Sequence, residues 1–219
     1  MTDRVCARIT ICLLIAVAVL TLAPTVSFAA VLPPNPPNPP YGKTYAEWSV
    51  FWWQWFLPLT RAQVRACTIG QSDNNVSFLL AGPSQCSGTV TSATSLFFPV
   101  ANVECSNLEA PPFFGATPPD RDGCAFNFFT QLSTGTVTLD GESLLNLLPN
   151  YPTKSPDFTF VVGNANNVFG IKCNSSSCTG QSTGYGYYLM LAPLKSGTHT
   201  IHIKASDYGV DTIWTLTVR

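Results

Sequence analysis

The sequence predicts a mainly β protein: an antiparallel β-sandwich with an N-terminal aromatic α-helix and one further short helix. Three observations predict it. First, the C-terminal third alternates like strands. From Thr198 to Ala205, His199, Ile201, Ile203 and Ala205 fall on one face and Thr200, His202 and Lys204 on the other. From Asp211 to Val218, Thr212, Trp214, Leu216 and Val218 oppose Ile213, Thr215 and Thr217. With a strand over Tyr187–Leu191 and a turn over Pro193–Gly197, these segments form the closing edge of a sandwich. Second, short apolar runs broken by Gly, Pro, Asn and Ser lie upstream, at Val76–Leu80, Ser95–Ala101, Gly135–Leu139, Asp157–Val162 and Val168–Lys172. Asp140-Gly141 supplies a hairpin turn. Third, the segment TYAEWSVFWWQWFL from Thr44 to Leu57 has helical spacing and holds four of the five Trp within eight residues.

The elements follow in chain order. Residues 1–29 read as a secretory signal peptide: Arg4 and Arg8, an apolar run from Ile9 to Leu22, and the small-x-small site Ser27-Phe28-Ala29. The run is too short to span a bilayer as a mature helix, and no later segment approaches transmembrane length. Cys12 lies inside the run and no cysteine lies near the cleavage site, which argues against a lipid anchor. Residues 30–41 are a proline-rich polyproline II stalk that packs as neither helix nor strand. Residues 42–219 form a single disulfide-stabilised domain, with enough chain for a sizeable core.

Thr44 and Glu47 have capping-box spacing, so the aromatic helix starts at Tyr45, and Pro58 ends it. At about 100° per residue, Phe51, Trp55, Trp48, Trp52, Tyr45 and Phe56 occupy an arc roughly 140° wide. That arc is expected to be a core anchor. Trp53 lies off it, so Trp53, Gln54 and Glu47 are the candidate ligand-binding residues, a ring face with hydrogen-bonding partners suited to a sugar. A membrane-surface helix would carry Lys or Arg where this one carries Glu and Gln. The second helix is expected over 124–132, where Ala125, Phe128 and Leu132 are helically spaced.

Removing residues 1–29 leaves nine basic and eleven acidic residues, a net charge of −2, which excludes tracking of a nucleic-acid backbone. It also leaves six cysteines: Cys67, Cys86, Cys105, Cys124, Cys173 and Cys178. An even number in an oxidising compartment reads as disulfides, and of the 15 formal connectivities the three local pairs in chain order are favoured. The small loop CNSSSC, closed by Cys173–Cys178, is the firmest of them. Zinc would need paired C-x2-C spacings or nearby His, and neither is present, so no metal and no cofactor is expected. The shared 19-residue spacing of the first four cysteines accompanies no internal repeat.

The segments EWSVFWWQW, LFFPVANVECS (96–106), LDGESLLNLLPNYPTKSPDFTF (139–160) and GYYLMLAPLKSGTHTIHI (186–203) span nearly the whole mature chain. In that order they resemble an uncharacterised family of secreted, mostly bacterial proteins. The resemblance implies one β-rich, disulfide-containing extracellular domain and brings no activity with it. Two departures stand out: CNSSSC looks like a local addition, and the stretch from Cys67 to Cys86 lacks an expected aromatic.

Three groups could carry chemistry. Gly180-Gln181-Ser182-Thr183-Gly184 is a formal G-x-S-x-G, but it lacks the strand-turn-helix setting of a nucleophile elbow. His199 and His202, three apart on a strand, point to opposite faces and cannot chelate together; the first reads as a hydrogen-bonded core or rim residue and the second as solvated. The carboxylate pairs are Glu104 with Glu109, Asp120 with Asp122, and Asp207 with Asp211, and turn capping accounts for each. Asp120-x-Asp122-Gly123 opens like a calcium loop but lacks the later ligands.

The functional expectation is a secreted, non-catalytic binding or structural protein of the cell envelope or extracellular matrix, with a glycan or matrix component as partner. The alternative is an extracellular polysaccharide hydrolase using a carboxylate pair, which would reveal itself as an apolar pocket with two convergent carboxylates. Asn75-Val76-Ser77 and Asn174-Ser175-Ser176 are glycosylation acceptors in a suitable host, and the sequence is silent on oligomeric state.

Overall fold

A computed structural model describes residues 30–34, 38–72, 75–82, 85–132, 135–144, 152–163, 166–205 and 209–219. The signal sequence and Asp207 therefore lie outside the described residues. Three helices, α1 (Tyr45–Phe56), α2 (Arg61–Arg65) and α3 (Pro118–Phe129), accompany two mixed β-sheets. The first sheet has the order β1 (Gly70–Gln71), β2 (Val76–Phe78), β4 (Ser95–Ser106), β9 (Ser177–Leu191) and β7 (Pro152–Lys154). β8 (Phe158–Gly163) pairs with β9 beyond β7. The second sheet runs β3 (Gln85–Val90), β11 (Val210–Val218), β10 (Gly197–Ala205), β5 (Thr136–Leu139) and β6 (Glu142–Ser143). Most pairs are antiparallel, as expected; β2–β4 and β3–β11 are parallel.

The sheets face each other across one core. Leu96, Phe98, Leu189 and Leu191 from the first meet Ile201, Ile203, Trp214, Leu216 and Val218 from the second. The inward set of β10 and β11 is the one the alternation predicts, because a period-2 pattern with one buried face fixes which residues point in. The Asp140-Gly141 turn joins β5 to β6, both residues at positive φ as a type I′ hairpin requires. All three local disulfides are present, Cys67–Cys86, Cys105–Cys124 and Cys173–Cys178.

On the opposite side of the first sheet lies the aromatic helix. Thr44 and Glu47 form the expected capping box and Leu57 caps the C-terminus. The buried face, however, is rotated by about 60° from the expected arc, taking 100° per residue. Tyr45, Trp48, Ser49, Trp52 and Trp53 are buried, while Phe51 is 40% exposed. The rotation has two causes. Ser49 at the centre of the face is small and satisfied by Ala46 O, which lets the helix backbone approach the sheet. Gly184 on β9 leaves room that Trp53 fills. The face packs on Phe78, Phe97, Tyr188 and Met190. Trp48 Nε1 donates to Pro40 O and Trp52 Nε1 to Leu79 O, each at 3.0 Å.

Other differences are local. Ala30–Leu32 lies along the sheet rather than standing free: Val31 bridges Leu191, and Leu32 N donates to Met190 O. Val168–Lys172 is not a strand, since Asn167 bonds Gly163 O and both backbone groups of Ile171 and folds the segment into a loop. The second helix starts six residues early, at Pro118, under a Thr117–Asp120 capping box. β3 and α2 were not expected.

Two outcomes check this fold. Thiol titration of the denatured, unreduced chain lacking residues 1–29 finds no free thiol. In denaturant unfolding, Trp52→Ala and Trp53→Ala each cost about 3–5 kcal/mol, while Phe51→Ala costs less than about 1 kcal/mol. Equal costs at positions 51 and 53 would contradict the observed rotation of α1.

Candidate functional site

The β4–β9 ladder contains one irregularity, and it positions the site. Pro99 pairs with Tyr188 and Ala101 with Tyr187, so Val100 is an extra residue, a β-bulge. Strand alternation reverses across a bulge. Before it, Phe97 faces α1. Beyond it the α1 side carries Asn102, Glu104 and Ser106, with Gly186, Gly184 and Ser182 opposite them on β9. Without the extra residue Glu104 would point to the other side. The bulge thus sets a carboxyl beneath the aromatic helix.

Glu104 is 3% exposed. Its Oε2 accepts from Ser182 Oγ, which also contacts Cys105 O. Its Oε1 is buried without a hydrogen-bond partner. The second carboxyl comes from the loop after β4: Glu109 accepts from Ser106 Oγ at 2.9 Å and lies against Glu104. Burial holds the Glu104 carboxyl well above the usual range, and Glu109 pushes it further, against the Ser182 bond. Burial also raises Glu109, opposed by its contacts with Glu104 and Ser106. The two groups titrate as a unit, and the unit retains a proton beyond the pH at which exposed glutamates ionise.

Over this pair sits Trp53. Its Nε1 lies 2.5 Å from the ideal Cβ position on Gly184 and faces the Tyr188 hydroxyl without a well-formed hydrogen bond. The contrast with Trp48, Trp52 and Trp214 is direct, since each of those indoles donates to a backbone carbonyl. Tyr188 completes the row: its hydroxyl accepts from Asn102 Nδ2 at 3.2 Å, and burial drives its pKa far up.

The pair opens into a cavity of about 520 Å³ that follows the unpaired edge of β4. Among the described residues, β2 covers that edge only as far as Phe97, and the loop meets it again only at Ser106. Trp52, Trp53, Phe56 and Phe169 wall one side; Val103, Phe113, Phe128, Gln131 and Val210 wall the other, with Asn102, Glu104 and Glu109 between. The second wall belongs partly to α3. That helix is fixed by Cys105–Cys124 and by a bidentate pair in which buried Arg121 donates twice to Asp157 at 2.8 Å. Asp157 also accepts from Thr183, and its pKa is lowered, first by Arg121.

The three residues singled out on the helix are not brought together. Trp53 is buried at this cavity, correcting its expected exposure. Gln54 is exposed, bonds Thr159 O and borders a separate recess of about 460 Å³ beside Phe51 and Trp55. Glu47 is held in the capping box. The turn-capping reading fits Asp120 but fails for Glu104, a buried strand residue. Asp122 pairs with Lys154 at 2.7 Å and accepts from Tyr185. Ser182 lies mid-strand, so no nucleophile elbow exists, although its hydroxyl does contact a carboxyl. His199 bonds Asp140 and Lys195 O at the rim, and His202 pairs with Asp211. Among the described residues no group of three His, Cys, Asp or Glu could hold a metal ion.

No family model, no curated protein and no solved structure matches the chain.

Two measurements test the geometry. Gly184→Ala places a methyl into the Trp53 ring and costs about 1–3 kcal/mol, with partial recovery on adding Trp53→Phe. A raised carboxyl pKa means the folded state holds protons the unfolded chain has lost. Its stabilising contribution is full below about 4.5, the ordinary glutamate value, and is lost as pH rises through the folded pKa. Glu104→Gln, which keeps an acceptor for Ser182, therefore gains stability relative to the native chain between pH 4.5 and pH 8. Parallel pH profiles would show that Glu104 is not perturbed.

Proposed function

We propose that the chain is secreted after loss of residues 1–29 and acts outside the cytoplasm as a non-catalytic binding protein of the envelope or matrix, its ligand seated in the groove along β4. The observation that carries this reading is a buried carboxyl oxygen without a partner, Glu104 Oε1, in an aromatic-walled cavity. An orphaned buried acceptor costs about 1–3 kcal/mol, and a ligand reaching it recovers that loss. Three disulfides fit an oxidising compartment, and among the described residues no helix is long and apolar enough to cross a membrane. The resemblance to secreted, mostly bacterial proteins points the same way.

Two convergent carboxylates in an apolar pocket were the expected mark of a hydrolase. Glycosidases, however, hold their carboxyls about 5–10 Å apart around the scissile bond, whereas Glu104 and Glu109 are in contact. The arrangement therefore favours binding. A second reading, glycan binding at the recess beside Phe51 and Trp55, rests on the exposed Phe51 ring, the half-buried Trp55 next to it and Gln54 and Gln71 at its border.

Nile red, a neutral apolar dye, tests the groove. It binds the native protein with one-to-one stoichiometry, and Gln131→Trp, which fills the cavity from its exposed wall, abolishes binding. A glycan array tests the recess: binding survives Gln131→Trp and is lost in Phe51→Ala with Trp55→Ala. Dye binding unaffected by Gln131→Trp would remove the groove as the site.

A further inference from the structure

We propose that the β4 groove is a receptor for an organic cation, with an ammonium group resting on Glu104 and Glu109 and an apolar body between the aromatic walls. This rests on the reading of the groove as a binding site and names its ligand class.

Charge complementarity carries the inference. Other acids of the described residues are engaged: Asp157 pairs with Arg121 and Asp122 with Lys154, Asp140 and Asp211 bond the rings of His199 and His202, and Glu47 and Asp120 cap helices. Glu104 and Glu109 have no partner of opposite sign among the described residues, although they are the most deeply placed carboxyls and lie against each other. Were both ionised, the adjacent carboxylates would repel, and desolvation would strengthen the repulsion, which is why the free pair keeps a proton. An anion would add to it, and a neutral hydroxyl would leave it in place. An ammonium removes it and donates a hydrogen bond to the unpartnered Glu104 Oε1.

The walls agree. Trp53, Phe56, Phe113, Phe128 and Phe169 surround the acids, and aromatic ring faces attract cations, more strongly where water is excluded. Among the described residues, the groups facing Glu104 are Glu109 from the loop after β4, Ser182 and Tyr188 from β9, and Trp53 from α1. None of these brings a positive charge, and Tyr188 stays neutral. Seating an ammonium thus ionises the carboxyl pair and expels the proton it holds.

The experiment is calorimetric titration of the protein with phenethylamine, 2-phenylethanol and phenylacetate, near-isosteric probes that differ in charge. The amine binds once per chain, at least tenfold tighter than the alcohol, and phenylacetate does not bind. In two buffers of different ionisation heat, amine binding releases protons. Glu104→Gln and Glu109→Gln keep native near-ultraviolet circular dichroism and alcohol binding but lose the preference for the amine. If the alcohol binds as tightly as the amine, or if neither Gln variant changes the ratio, the cation assignment is overturned while the groove remains a binding site. If no probe binds, both fall.

Discussion

The pairing of β4 with β9 is the constraint on which the rest of this structure depends. It runs from Leu96–Leu191 to Ser106–Ser182, and each of its faces supports a different layer. The inner face supplies Phe98 and Leu189 to the sandwich core, then Val103, Cys105 and Tyr185 to the underside of α3. The outer face receives α1 on Phe97, Tyr188 and Met190. One inserted residue, Val100, divides the ladder into an apolar half that anchors the helix and a polar half that forms the floor of the groove. The helix closes over both halves because it carries aromatics along its whole buried face. Trp48 and Trp52 pack over the apolar half and Trp53 over Gly184 of the polar half.

A carboxyl as buried as Glu104 is expensive, and the surroundings reduce that cost without cancelling it. Ser182 satisfies one oxygen, and retention of a proton avoids a full buried charge. The other oxygen is left unsatisfied. Apart from Trp53 Nε1, the described chain elsewhere leaves buried side-chain polar atoms paired, down to the three indoles with backbone partners. A fold selected only for stability would place an apolar residue at position 104, since a half-satisfied polar group is worse than none. The local violation marks the place where the structure answers to something other than its own packing.

Much of the architecture was legible in the sequence. The two C-terminal strands, their buried faces, the Asp140-Gly141 turn, the limits of α1 and the three local disulfides all follow from short-range rules of alternation, turn chemistry, capping and cysteine spacing. What those rules missed depended on partners distant in the chain. The rotation of α1 was hidden because its aromatics, Trp53 included, cover more of the helix than one buried face can take, so the room offered by Gly184 decided which rings went in. Glu104 and Glu109 were recognisable as a pair, but their meaning turned on the bulge at Val100. Nothing in LFFPVANVECS except Pro99 hints at an extra residue, and a one-residue shift reverses every side chain that follows. The walls at Phe113 and Phe128 were out of reach because they depend on where α3 docks.

The central claim is that Glu104 and Glu109 form one desolvated, proton-sharing unit at the floor of an open cavity. Carbon-13 NMR titration of the glutamate side-chain carboxyls reads this directly in the free protein. The account predicts that both resonances respond to two separated steps and that the later step lies well above the ordinary glutamate range near 4.5. Two independent titrations close to that ordinary value would contradict it, leaving the groove with an unremarkable pair of surface acids and no reason to hold a ligand.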